Sequence, residues 1–254
     1  MNFLKYFFRS QQDDFVFEQF GPAHWLLLLF YILGMAFIIK KSFGIDEKKN
    51  NKKFLAIMAK ILLIDQIVLY SWQFGSGYFR LDLSLPLYHC RLAVWALIIG
   101  ILLDDRMSKI IGAYLGFLGS TVAMSLPDLY SFAFPHYTNI QFFLVHILMG
   151  WIVVDFIFVE GLFVRKNELK RVLMILNSFN IFLLLFNISL RKIYEDINYG
   201  YLLRPPVSVE KVIPTELYII AVFVLFNLVI LLFYKLFNCL NRRLVSVENK
   251  EDIF

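Results

Sequence analysis

LYIIAVFVLFNLVILLFY, residues 217–234, is an eighteen-residue run between Glu216 and Lys235 in which Asn227 is the one amide side chain. As a helix rising 1.5 Å per residue it covers about 27 Å, close to the hydrocarbon thickness of a bilayer. An uncharged run of that length reads as a membrane span rather than as a buried core helix. Working outward from it, the chain holds six more apolar runs, and the spans are expected at about 23–39, 54–73, 83–103, 109–126, 139–163, 169–190 and 214–238. The fold class is therefore all-α: a polytopic integral membrane helical bundle of about seven transmembrane helices, forming one transmembrane domain over 1–254.

Composition agrees, since 59% of the 254 residues are hydrophobic and 18% aromatic, above the range of ordinary globular proteins. The longest connection, about 191–213, is too short to bury a core of its own. The segment before the first span carries Asp13, Asp14 and Glu18, which argues against a cleaved signal. Lysine and arginine number 16 on one side of the spans and 7 on the other, which places the C-terminus in the cytoplasm and the N-terminus outside the cell membrane. The net charge of +5 is accounted for by cytoplasmic loops such as Lys48-Lys49-Asn50-Asn51-Lys52-Lys53. Membrane lipids are thus the expected partners, and no nucleic acid is expected, because no binding motif accompanies the charge.

With this topology all four histidines and Cys90, one of two cysteines, fall toward the outer side. Cys90 lies seven residues inside the third span counted from Leu83, and His146 seven residues inside the fifth counted from Asn139, about 10 Å deep in each case. Asp65 and Gln66, Ser120, Thr121 and Ser125, Asn187, and His24 add polar groups from four other spans to the same half. Polar side chains in hydrocarbon are costly and mark a site or a helix contact. Asp65 needs a partner at that depth, for which Arg91 or a histidine is expected. Trp25, Trp72, Tyr78 and Tyr88 suit the outer interface. Pro127–Asn139, with Tyr130, Phe132, Phe134 and Tyr137, is expected to lie flat at headgroup level and cover the polar layer. Gly112, Gly116 and Gly119 allow close approach of a neighbouring helix. No two histidines are spaced as ligands on one helical face, so no metal is expected, and no nucleotide or redox motif calls for a cofactor.

Three stretches carry a likeness: LPLYHCRL at 85–92, the span containing His146, and NYGYLLRP at 198–205 followed by Pro214 and Tyr218. On them the whole chain resembles the YwaF-like bacterial integral membrane proteins. That group looks related to an animal polytopic acyltransferase that remodels ether phospholipids and, more distantly, to the androgen-induced-gene hydrolases of fatty-acid esters. The resemblance implies acyl transfer or acyl-ester hydrolysis by a membrane nucleophile and a membrane histidine. Cys90 is then the implied nucleophile and His146 the base that takes its proton. In the animal relative the cysteine directly follows the proline; that position is Leu87 here, and the thiol stands three residues on. Arg91 or Asn198 would face a phosphate or an oxyanion. His24, Asp65, His89, Asn187 and Tyr199 complete the substrate-binding set. A small-molecule transporter or permease, and a non-catalytic structural or partner-binding membrane protein, remain the other two readings.

Overall fold

The computed structural model describes residues 3–42, 48–205 and 213–251, with side chains from 3–42, 51–205 and 213–240. All regular structure among these is helical. The helices are α1 (Phe3–Phe7), α2 (Pro22–Lys41), α3 (Lys48–Gly75), α4 (His89–Leu102), α5 (Arg106–Ser125), α6 (Tyr137–Phe158), α7 (Lys166–Leu190) and α8 (Thr215–Glu251), with a 3-10 turn at Tyr199–Tyr201. Six stretches are long and apolar enough to cross a membrane: Pro22–Lys41, Asn51–Gly75, Arg106–Ser125, Tyr137–Phe158, Lys166–Leu190 and Thr215–Leu240. α4 is a seventh, shorter apolar helix. This is a polytopic helical membrane bundle. The tail read as cytoplasmic ends at 252–254, outside the described residues.

One expected boundary moves. The third span was read from Leu83, yet helix begins only at His89. Arg80–Ser84 instead closes a turn, in which Ser84 N donates to Arg80 O at 2.8 Å and Arg80 N donates to Ser84 Oγ at 3.0 Å. Pro86 follows and disfavours helical backbone at Leu85. Cys90 accordingly sits on the first turn of α4 rather than about two turns inside it. His146, by contrast, lies nine residues into α6, about 14 Å along its axis.

The chain forms two compact units. The first comprises 1–79 and 92–161, the second 80–91 and 162–254. In the first, α6 is the hub, packing against α5, α2 and α3, and Met149, Ile152, Val153 and Phe156 have no exposed surface. Lipid offers no hydrophobic drive for helix pairing, so close backbone approach and dispersion must supply it. α2 and α6 meet through two reciprocal glycines: Trp151 fills the space a side chain at Gly34 would take, and Tyr31 fills that at Gly150. Trp151 Nε1 also donates to Tyr31 O at 2.9 Å. Gly112 and Gly116 admit Leu97 and Val153 in the same way, the close approach their spacing implies. Asp105 starts α5 by accepting from Ser108 N at 2.7 Å. Leu26, Leu29, Phe30, Leu33 and Phe37 on α2 face outward, as lipid-facing side chains do.

The segment before α2 and the 130–136 connection form a clasp. Asp13 takes hydrogen bonds from Arg9 and, at 2.8 Å, from Ala133 N. Arg9 also donates to Ala133 O at 2.8 Å. His136 Nε2 donates to Arg9 O at 2.9 Å. The ring-rich connection was expected to lie flat; instead Phe132 is fully buried, stacked on His136 at 3.8 Å and packed with Trp72.

In the second unit α7 packs against α8 and the 3-10 turn. Leu183, Ile197, Tyr199 and Leu202 form its buried centre. Paired amides of Asn177 and Asn227 join α7 to α8 at 2.8 and 2.9 Å.

Candidate functional site

Each histidine has two ring nitrogens, and a backbone carbonyl can only accept, so partners fix which nitrogen carries hydrogen. His24 Nε2 donates to Met124 O at 2.7 Å and its Nδ1 accepts from Phe20 N at 2.9 Å. His136 Nε2 donates to Arg9 O, while Nδ1 accepts from Thr138 N at 3.2 Å and from Thr138 Oγ1 at 2.8 Å. Both rings are spent on holding backbone. His146 differs. Its Nδ1 donates to Phe142 O, one helical turn earlier, at 2.6 Å, which leaves the Nε2 lone pair without a hydrogen-bond partner among the described residues. His89 is the mirror case: Nε2 donates to Asn180 Oδ1 at 2.7 Å and Nδ1 stays open. A histidine with its tautomer fixed on one side and a lone pair on the other is the arrangement a general base requires.

Asp65 was expected to pair with Arg91 or a histidine. It is held instead by neutral donors: Gln66 Nε2 and Gln141 Nε2 reach Oδ2 at 3.0 Å each, and Tyr137 OH reaches Oδ1 at 3.2 Å. Tyr137 and Gln141 stand four apart on α6, so one helical face supplies both. That spacing was the signal in the sequence for these two residues. Tyr31 OH donates to Ser120 Oγ at 3.0 Å in the same unit.

In the second unit, Arg91 Nη1 donates to the carbonyls of Leu83, Ser84 and Leu85 at 2.7–3.1 Å. Asn187 clasps Tyr199, donating to its O at 2.8 Å and accepting from its N at 2.9 Å. Tyr199 OH donates to Leu81 O at 2.8 Å and accepts from Leu85 N at 3.1 Å. Burial raises the Tyr199 phenol above its ordinary range. Asn198 accepts from Leu203 N at 3.0 Å and donates to Arg204 O at 2.8 Å. The Asn-Tyr-x-x-Leu-x-x-Pro stretch is thus a self-clasped loop, tied by Tyr199 to the turn that precedes α4. Cys90 is a half-exposed thiol in this unit, while His146 belongs to the first. Asn180, one of the scattered amides in the sequence, emerges as the residue that orients His89. Its signal was the seven-residue spacing to Asn187, which puts both on one face of α7. Among the described residues no three His, Cys, Asp or Glu side chains gather as metal ligands.

The model of the TMEM164 family matches residues 19–237. The chain belongs to the TMEM164 family. No curated protein and no solved structure matches it. The match to the TMEM164 family spans the described helices from α2 to the start of the last turns of α8, and it takes in His24, Asp65, His89, Cys90, His146 and the 198–205 loop. Arg9 and Asp13 lie ahead of it.

Proposed function

We propose that this membrane protein transfers or hydrolyses lipid acyl groups at a site in the outer half of the cell membrane, with His146 as its general base. The observation that carries this reading is the His146 ring: buried, fixed by its Nδ1–H on the Phe142 carbonyl, with Nε2 open. The resemblance of the 85–92 and 198–205 stretches supplies the acyl chemistry. In such a step Nε2 takes the proton of the attacking group, the new acyl bond forms as the old ester bond breaks, and the imidazolium returns the proton to the departing alcohol. The attacking group is the Cys90 thiol implied by the resemblance, or a lipid hydroxyl, or water. His24, Asn187 and Asn198 spend their polar side-chain atoms on backbone, and Arg91 Nη1 does the same, which supports a role in holding the fold.

The test is lipid profiling of cells carrying no gene, the wild type, His146→Gln or Cys90→Ser, at matched protein abundance. An acyl-chain redistribution produced by the wild type and lost in His146→Gln supports the proposal. Loss in Cys90→Ser as well assigns the thiol as nucleophile; full activity there assigns the hydroxyl or water route. A redistribution undiminished in His146→Gln overturns the base, and no redistribution by the wild type overturns the enzyme reading in favour of a transporter or structural protein.

A further inference from the structure

Lys60 interrupts the apolar run of α3, and its side chain is exposed. We propose that Lys53 and Lys60 hold the headgroup of a net-anionic glycerophospholipid, of the phosphatidylglycerol kind, in the membrane leaflet at the Lys48 end of α3.

Packing sets the two sides of this helix. Leu55, Met58, Ala59 and Leu62 are buried, and Asp65 is held by Tyr137 and Gln141 of α6, so this side faces the bundle. Asn51 continues it by donating to Asp155 Oδ1 of α6 at 2.8 Å. The other side carries Ile57, Ile61, Ile64 and Ile67, all exposed, with Lys53 and Lys60 exposed among them. Seven residues make close to two turns, so the two lysines share one stripe, about 10 Å apart along the axis. Neither has an ion pair or a hydrogen bond among the described residues. The one carboxylate of α3, Asp65, lies on the α6 side.

Depth makes the lysine call for an anion. The apolar run begins at Phe54, which puts the Lys60 Cα about 9 Å into a leaflet whose hydrocarbon is about 15 Å thick. An ammonium left at that level faces acyl chains, which is costly. Helical Cα–Cβ bonds tilt toward the N-terminus, so the Lys60 stem runs back toward Lys53 and lifts its ammonium to the phosphate layer. Lys53, just before Phe54, stands at headgroup height. Lys41 of α2 joins it there, with its ammonium 5.5 Å from the Phe54 ring centroid. A lipid phosphate pairs with Lys60. A choline headgroup would then set its own cation against Lys53 and Lys41, whereas a glycerol headgroup brings no second positive charge. Ile57 and Ile64 flank Lys60 and give the acyl chains an apolar bed. This site stands whether or not His146 acts as a base.

Native mass spectrometry of the full-length protein released from detergent, titrated with phosphatidylglycerol or phosphatidylcholine of the same acyl chains, counts bound lipids and gives their affinities. The wild type should bind its first phosphatidylglycerol more tightly than a phosphatidylcholine. Lys60→Leu should weaken phosphatidylglycerol alone, by about fivefold, the worth of one lysine at an anionic surface. Lys60→Arg keeps the charge and should keep the preference, while Lys53→Leu with Lys60→Leu should bind the two lipids alike. Lys166→Leu, which removes an exposed lysine at the start of α7, should match the wild type. Equal binding of both lipids by the wild type, a preference undiminished in Lys60→Leu, or an equal fall in Lys166→Leu overturns the proposal. A wild-type dimer that Lys60→Leu dissociates also overturns it, in favour of a second copy of the chain on this stripe.

Discussion

The amide of Asn187 closes both backbone polar groups of Tyr199, giving a hydrogen to its carbonyl at 2.8 Å and taking one from its N–H at 2.9 Å. Both residues have no exposed surface. α7 therefore holds the 198–205 loop by its backbone, and through the Tyr199 hydroxyl the loop holds Leu81 and Leu85, at the turn that precedes α4. The 198–205 stretch, whose Asn198 and Tyr199 are expected to meet substrate, is also a structural splice between α7 and the turn before α4.

Asn187→Leu keeps the number and branching of side-chain heavy atoms and removes both bonds, leaving a buried N–H and C=O unpaired. The expected cost is about 3 kcal/mol. Tyr199→Phe, which frees only the Leu81 carbonyl and Leu85 N–H, should cost about 1–2 kcal/mol. Thermal unfolding of the purified protein in detergent, with the two variants side by side, checks the order; an Asn187→Leu protein as stable as wild type contradicts the splice.

The α2–α6 contact rests on Gly34 and Gly150, whose missing side chains are replaced by Trp151 and Tyr31. Gly150→Leu should displace Tyr31 from Ser120 and cost about 2–3 kcal/mol by overpacking. Gly150→Ala combined with Tyr31→Ala should recover part of what Gly150→Ala loses, because the two sites touch. Additive losses in the detergent melts would contradict the reciprocal packing.

How much of this was legible beforehand follows from what each residue obeys. Spans were readable because a bilayer imposes a length and a composition on every crossing, as in 217–234. The start of α4 was not, because Leu83–Tyr88 is as apolar as the helix after it, and only the turn at Arg80–Ser84 with Pro86 ends the helical path. Which histidine is structural was also hidden. His24 and His146 have the same side chain in similar apolar surroundings, and they differ only in whether a backbone partner reaches the second nitrogen. That partner comes from a residue a hundred positions away in one case, Met124 for His24, and is missing in the other. Asp65 was misread for the opposite reason: a carboxylate suggests a cation, but three neutral donors suffice when two of them share a face of α6.

The clasp between the N-terminal segment and the 130–136 connection should loosen with acid in two stages. Burial pushes the His136 pKa below the ordinary histidine value, so the folded state holds the ring neutral, with Nδ1 accepting from Thr138 N. A depressed histidine binds fewer protons folded than unfolded, and its contribution is lost as pH falls below about 6.5 toward the folded value. Asp13 is lowered by its hydrogen bonds from Arg9 and Ala133, so its contribution persists above the usual carboxylate range and is lost only as pH falls through that lower value. A spin label on a cysteine replacing Ser10 should be immobile at pH 7.5, looser at pH 5.5 and free at pH 3. Mobility that rises with pH instead would reverse the sign and discard the clasp.

Orientation is tested by a membrane-impermeant thiol reagent on intact cells, in a background of Cys90→Ala and Cys239→Ala. A cysteine at Asn50 should stay unlabelled until the cells are opened, and one at Gln11 should label at once. The warrant is the excess of lysine and arginine in the 40–53, 104–109, 164–171 and 235–254 segments. Labelling of position 50 from outside would place the His146 half of the bundle on the cytoplasmic side.

Asp65 offers the sharpest test of how an uncharged network holds a carboxyl group inside the bundle. Asp65→Leu leaves the amide donors of Gln66 and Gln141 unpaired, whereas Tyr137 OH keeps its second acceptor, the Asp65 backbone carbonyl at 3.1 Å. The expected loss is about 2–4 kcal/mol, since the penalty comes from stranded donors rather than from a lost ion pair. Asp65→Asn, which retains one acceptor oxygen and brings a donor of its own toward two other donors, should fall between wild type and Asp65→Leu. The decisive variant is Asp65→Leu with Gln141→Leu: removing a donor along with its acceptor should recover about 1 kcal/mol, giving a coupling energy of that size in a double-mutant cycle on detergent melts. An ion pair to a cation elsewhere would behave differently, because Gln141→Leu would then add its own loss to that of Asp65→Leu. Additive losses would therefore reject the neutral-donor account and return the search to a charged partner.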